Sequence, residues 1–270
     1  MPPIHVSQLV PCSSRIYATD VAAQESDRDP ENANVEPVVP EPMQYRDVPA
    51  VVRMIAQAAE EMYDPLEHYM NDTPDKGDAK WKENVAYMTQ YYHWTKWAYD
   101  KKAWTINHDH TDRRSSTPPP KDKADSPLDK MLDGIADYAM ASTRTKQQTK
   151  RFEEFLEKIR KAVRSSCGDR LQDMFYISGV ATAPAKQRRG YASTLMRMAC
   201  TMADERNSAT WLVVGNVPAN NAFYAAFGFV TVAQTLLGDE DPDWTEDPVP
   251  VDVMVREPSS AAWKEKAELV

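Results

Sequence analysis

Between Thr182 and Met196 the chain reads TAPAKQRRGYASTLM, so Gln187, Arg188, Arg189, Gly190, Tyr191 and Ala192 stand between an apolar run and an amphipathic one. The protein has only 8 glycines, and one of them is placed here beside concentrated positive charge. A turn alone needs no arginines, whereas a turn that holds a phosphate does. If the chain leaves a strand at Thr182 and enters a helix near Tyr191, the first backbone N–H groups of that helix have no internal partner and aim into the turn. With the helix dipole they make an anion site. Gly190 lets the backbone approach a bulky group, and Arg188 and Arg189 add charge and bidentate contacts. The pattern G-x-x-x-x-G-K-[ST] is absent, as is the three-glycine dinucleotide fingerprint. The stretch reads as a pyrophosphate turn of another kind.

A second group of reactive types lies in GDEDPDWTED. Asp239, Asp241 and Asp243 recur at every second residue, the spacing by which calcium loops direct successive oxygens at one ion. Trp244 stands where such a loop has glycine, so the match is partial, and a solvated acidic turn is the alternative reading. His108 and His110, in NHDHT, titrate near neutrality but form a poor metal site. Asp173 and Asp252 are carboxylates beside expected strands. Cys12, Cys167 and Cys200 are odd in number and widely spaced, which speaks against a disulfide framework and a zinc site and for a reducing, cytoplasmic setting.

Elements must carry these groups. From Met174 the reading is sharp: strand (MFYISGVAT), helix (Tyr191 to Arg206), strand (TWLVV), short helix (ANNAFYAAF), strand (FGFVTVAQTLL), strand (VPVDVMV). That order predicts a mixed α+β sheet flanked by helices. Upstream, IHVSQLV at 4–10 predicts a strand and residues 18–47 carry an acidic loop insertion rich in prolines. A helix follows with Asp47 as N-cap and Val51, Ile55, Ala58 and Met62 on one face. Residues 81–99 form an aromatic helix, KKAWTINHDH a strand, 112–127 a mobile linker containing three consecutive prolines, and 128–141 and 150–164 further helices. Residues 1–258 make one domain and 259–270 a tail. The 270 residues suffice for a proper core; hydrophobic content of 42% and charged content of 27% are those of a soluble globular chain. MPPIHVSQLV lacks the basic and long apolar regions of a signal peptide, so no secretory leader is expected, and no apolar run is long enough to span a membrane. A net charge of −9 disfavours nucleic acid and suits a cationic ligand.

QRRGYA resembles the acetyl-CoA pyrophosphate loop of the GNAT superfamily of N-acetyltransferases, [QR]-x-x-G-x-[GA]. Further on, NNAFYAAFGF resembles the family's second motif, an asparagine followed by an aromatic-tyrosine pair, three residues and Gly-Phe. Pro184 before the glutamine also fits, VDVMVREP looks like the closing strand of many fungal members, and the likeness covers roughly residues 174–256. It implies the GNAT fold: a mixed, mostly antiparallel splayed sheet with acetyl-CoA wedged between the strands at 175–182 and 210–214. Val180 and Thr182 would pair with the pantetheine arm as an added strand. Gln187, Arg188, Arg189, Gly190, Tyr191 and Ala192 would hold the pyrophosphate, Asn220 would hydrogen-bond the pantetheine arm, and Tyr224 would lie near the sulfur. Many members have an asparagine and, three residues on, an alanine before the aromatic-tyrosine pair; here Val217 and Asn220 stand at those places. The asparagine role therefore stays open between Asn216, Asn220 and Asn221.

The implied chemistry is direct attack of a neutral amine on the thioester, with a backbone amide polarising the carbonyl and a proton delivered to the departing sulfur. Tyrosine and thiol titrate near about 10 and about 8.5, so a tyrosine can serve as the acid, and Tyr224 takes that role. The base stays open between Asp252, Asp173, His108, His110 and water, and Asp252 is assigned to acceptor binding. The acidic balance favours a polyamine acceptor over a xenobiotic or aminoglycoside amine, or a protein amine; a CoA-binding module without turnover is the non-enzymatic alternative. A small-molecule amine, acetyl-CoA and calcium are the expected ligands, and a homodimer is allowed.

Overall fold

The computed structural model describes residues 15–17, 40–75, 91, 104–105 and 144–259. Its main sheet has five strands in the order β1 (Arg15–Tyr17), β4 (Phe175–Gly179), β5 (Thr210–Val214), β7 (Val249–Arg256) and β6 (Val230–Leu237). β1 and β5 run parallel to β4, whereas β5–β7 and β6–β7 are antiparallel and much the longer ladders. A small second sheet pairs β2 (Glu41–Pro42) with β3 (Trp104–Thr105). The helices are α1 (Val48–Glu61), α2 (Pro65–Asn71), α3 (Lys146–Cys167), α4 (Tyr191–Glu205) and α5 (Val217–Ala225). This is the expected α+β architecture.

Alternation along the strands divides the core between the two sheet faces. Trp211, Val251, Val253 and Val255 join Ile159 and Val163 of α3 and Tyr69 of α2 in one cluster. Leu212, Val214 and Met254 join Met196 and Ala199 of α4, with Phe175, Ile177 and Phe229, in the other. β7 is covered on both faces, which explains its nearly unbroken apolar composition. Its one interruption in that run is Asp252, 2% exposed. Arg256 ties the end of the sheet to the end of α4: Nη1 and Nη2 each donate to Asp204 at 2.8 Å, and Nε donates to the Phe227 carbonyl.

Helix boundaries follow local chemistry. Thr145 and Gln148 form a reciprocal capping box at the start of α3, which begins four residues earlier and ends three later than the apolar periodicity indicates. Asp64 accepts from the Leu66 and Glu67 amides at the start of α2, with Pro65 in the first turn. Asp47 is not the side-chain cap of α1; its carboxylate accepts from the Gln44 amide in the preceding 3-10 turn instead. Residues 41–47, read as part of the acidic loop, form β2 and that turn. The strand at 4–10, the remainder of the acidic loop (18–39), the linker at 112–127, the helix at 128–141, His108 and His110, and residues 260–270 lie outside the described residues. So does the helix at 81–99, save Tyr91.

Candidate active site

β4 and β5 pair only from Phe175↔Thr210 to Ile177↔Leu212. β5 then continues to Val214 along β7, parting from β4. The gap opens beside Val180, Val217, Phe223 and Tyr224, which pack against the cluster containing Val214 and Phe229. Val180 and Tyr224, assigned to cosubstrate and acid roles, both pack against this one cluster. Tyr224 sits edge-on to Phe223 at 5.2 Å and to Phe229 at 6.2 Å. Burial pushes its phenol up to about 12, so it is a protonated donor at every physiological pH.

After β4 the chain passes the buried Thr182, makes a short 3-10 turn at Pro184–Lys186, and enters α4 through two left-handed residues, Arg188 (φ 62) and Gly190 (φ 80). Left-handed residues interleaved in a turn gather successive N–H groups into a concave anion nest. Gly190 is the N-cap of α4 and offers no side-chain acceptor, so no side chain caps the helix. A Cβ at Gly190 would meet nothing within 4 Å, so the glycine serves its backbone angle and not protein crowding. Arg188 and Arg189 are exposed at the rim, and Ala192 is fully buried beneath. Gln187 donates from Nε2 to Met62 Sδ at 3.4 Å, joining the turn to the corner between α1 and α2. These residues fit a pyrophosphate: nest, open helix start and cationic rim coincide.

The same corner reaches the mouth of the gap. Asn216, the N-cap of α5, donates to the Tyr63 carbonyl at 3.3 Å. A Cβ at Gly215 would lie 2.4 Å from Leu66 Cδ2, so only glycine lets α2 close on the end of β5. Beyond Tyr63 an open cleft of about 550 Å³ is walled by Pro65, Trp244, Glu246 and Asp247. His68 braces these wall residues, with Nε2 2.9 Å from Glu246 and its ring beside Tyr63 and Trp244. Neither α2 nor His68 was assigned a role from sequence, although the Asp-Pro pair at 64–65 is a helix-start signal.

Two assignments change. Asp239, Asp241 and Asp243 do not converge on an ion: Lys158 pairs with Asp239, Gln147 donates to Asp243, and Asp241 holds Lys150 (3.1 Å) and Arg151 (2.9 Å). Among the described residues, no group of three or more His, Cys, Asp or Glu side chains is placed to hold a metal ion. The calcium reading gives way to ion pairs with α3. Asp252 is likewise unavailable to an acceptor: it lies under α5 and accepts from Asn221, Thr231 and Gln234. No partner among the described residues accompanies the Asn220 side chain or the Tyr224 hydroxyl. No helix among the described residues is long and apolar enough to cross a membrane.

Residues 162–232, from the end of α3 into β6, match the model of the acetyltransferase (GNAT) domain. A mosquito arylalkylamine N-acetyltransferase-like 5b structure aligns over 82% of this chain and all of its own, at 14% identity and a TM-score of 0.45. Drosophila melanogaster Protein apterous is 38% identical over 64 residues, 24% of this chain and 12% of that protein, so the chain spans about an eighth of its length. The segment similar to the acetyltransferase (GNAT) domain takes in the parting strands β4 and β5, the anion turn and Tyr224, on an α+β fold.

Proposed function

We propose that the protein transfers acetyl from acetyl-CoA to a primary amine of a small cationic acceptor, a polyamine, with Tyr224 as general acid. The observation that carries this reading is the early end of β4–β5 pairing, with Val180 and the buried phenol of Tyr224 packed on one cluster there and the anion turn at the start of α4. Bound there, acetyl-CoA supplies the thioester. The turn from Gln187 to Ala192 would hold its pyrophosphate through backbone N–H groups, with Arg188 and Arg189 at the rim. Backbone groups of Val180 and Thr182 would extend the sheet along the pantetheine arm, and Asn220 would hydrogen-bond it. Tyr224 would deliver its proton from Oη to the departing sulfur; a phenol kept neutral by burial holds that proton until the thiolate forms.

The cleft walled by Tyr63, Trp244, Glu246 and Asp247 favours a cationic acceptor, since it combines aromatic faces with carboxylates. The three aspartates earlier in the turn are occupied by α3, so Glu246 and Asp247 supply the charge. Thiol release from acetyl-CoA, followed with spermine, spermidine, monoamines and a neutral aromatic amine, tests the proposal. The ammonium titrates near about 10.4, so rates should climb from pH 7 toward 9, and salt should raise the KM for spermine. Equal use of the neutral amine with no salt effect would eliminate the polyamine; no thiol release with any amine would eliminate turnover.

A further inference from the structure

The open cleft at Tyr63 has two walls from distant parts of the chain. One is the α1–α2 corner, through Tyr63 and Pro65, and the other is the β6–β7 connection, through Trp244, Glu246, Asp247 and Pro248. Trp244 fastens its own end of that connection. Its amide donates to the Asp241 carbonyl and its indole Nε1 to the Asp247 carbonyl, each at 3.0 Å, and its ring lies edge-on to Tyr69 of α2. Glu246 is joined to α2 through its carboxylate, which meets His68 Nε2 at 2.9 Å. The other ring nitrogen, Nδ1, lies 3.6 Å from Asp72 Oδ2, one helical turn further on. Tyr63 and Trp244 flank the imidazole with centroids at 5.6 and 5.4 Å, so ring packing holds each nitrogen on its carboxylate.

This arrangement suits one protonation state. An imidazolium carries N–H at both nitrogens and serves both carboxylates, whereas a neutral imidazole keeps one N–H and turns a lone pair toward the other. His68 also stands in the last turn of α2, where a cation meets the negative end of the helix dipole. The other charges around it have their own partners. Arg151 of α3 and Asp243 line the cavity behind the ring, but Arg151 is paired with Asp241 and Asp243 accepts from Gln147. On α2 itself Asp64 caps the first turn and Glu67 accepts from Asn71. We propose that His68 is a positioning residue that works as a pH-operated latch on the cleft. With its proton it bridges Asp72 and Glu246 and holds the β6–β7 connection against α2; without it one contact loses its hydrogen and that wall loosens. Histidine changes charge between about pH 5 and 8, so the latch closes on acidification and opens as pH rises.

The latch belongs to the folded chain alone, so it is tested without any ligand and its failure leaves the acetyl-transfer reading where it stands. The Trp244 indole N–H, bonded to the carbonyl next to Glu246, reports the wall directly, and its exchange with water is read by NMR at pH 5.5 and pH 8. Asp72 and Glu246 are half-exposed, so the expected effect is modest: about 2- to 5-fold faster exchange at pH 8 than the intrinsic pH dependence of indole exchange accounts for. His68→Gln keeps a neutral donor for Glu246 but cannot take a proton, and it should follow the intrinsic dependence alone. Glu246→Gln, on the exposed side of the pair, should do the same without disturbing α2. A double-mutant cycle over the two positions should show coupling of about 2- to 5-fold in the folding constant at pH 5.5 and less at pH 8. Wild-type exchange that follows the intrinsic dependence, an excess that persists in either variant, or equal coupling at both pH values would overturn the proposal.

Discussion

Asp241→Asn replaces the acidic centre of the β6–β7 turn by a neutral isostere. The wild-type carboxylate accepts from Arg151 Nε at 2.9 Å and Lys150 Nζ at 3.1 Å, and both Arg151 and Asp241 have side chains only 1% exposed. Arg151 also donates to the Tyr69 and Asp72 carbonyls at 2.7 and 3.1 Å and lies against the Tyr69 and Trp244 rings. Those contacts survive the substitution, but the guanidinium loses its counter-charge in a buried place. Removing one partner of a buried pair costs about 3–5 kcal/mol. Asparagine keeps one oxygen for Nε, so the expected loss is near the lower end, about 3 kcal/mol. At roughly 2–4 °C per kcal/mol for a protein of this size, the melting temperature should fall by about 6–12 °C.

The pH dependence gives a second reading of the same pair. Burial pushes the Asp241 carboxyl up, but the hydrogen bonds from Arg151 and Lys150 outweigh it and hold the group below its ordinary range. A depressed carboxylate contributes stability that is fully present above the unfolded value near about 3.9 and is lost as pH falls through the folded value. The gap between wild type and Asp241→Asn should thus be widest at neutral pH and close below about pH 4. Thermal melts at pH 3, 5 and 7, each in calcium and in EDTA, check both points. A gap as wide at pH 3 as at pH 7 would refute the ion-pair account. A calcium-dependent rise in the wild-type melting temperature, absent in the variant, would restore the metal.

Tyr224→Phe should lower kcat by about 10- to 1,000-fold with little change in acetyl-CoA affinity, and because the phenol titrates near 12, ionisation of Tyr224 should cause no alkaline loss of wild-type activity below about pH 11. Gly215→Ala should cost about 1–3 kcal/mol and, if the cleft at Tyr63 takes the amine as proposed, raise the KM for it, since its Cβ would press on Leu66 Cβ as well as Cδ2 and push α2 from that cleft. Asp204→Ala should cost about 2–3 kcal/mol in a denaturant titration by stripping Arg256 of its bidentate partner. The hydrogen bonds from Arg256 hold the Asp204 carboxyl well below its usual range, so this contribution is present above about pH 4 and fades on acidification through the folded value.

The part of the site legible in the sequence is the part made by local backbone chemistry. TWLVV is β5 to the residue, and the helix after QRRG begins at Tyr191 as the turn residues require. Gly190 is needed for a left-handed angle, a local property that its position before a helix already signals. The short helix that carries Tyr224 was legible because a short motif marks it. The cleft at Tyr63 was not, because its walls come from Tyr63, Pro65 and residues 244–250, segments joined only by folding.

The acidic turn shows why spacing alone misleads. Alternating aspartates describe which groups a turn can offer but not what the rest of the chain brings to meet them. Here α3, some ninety residues earlier, presents Gln147, Lys150, Arg151 and Lys158 to the turn. Their spacing is that of one helix face, where residues three and four apart are neighbours. Read together, the two segments carry opposite charge, and Lys150, Arg151 and Lys158 already relieve the repulsion that would recruit a metal ion. Asp252 makes the complementary point. A lone acid in an apolar strand suggests a ligand contact, but three donors from α5 and β6 close over it. Its carboxylate ties α5, the helix that carries Tyr224, to β6 and β7, so the acid that looked like a ligand contact is a fastening inside the protein.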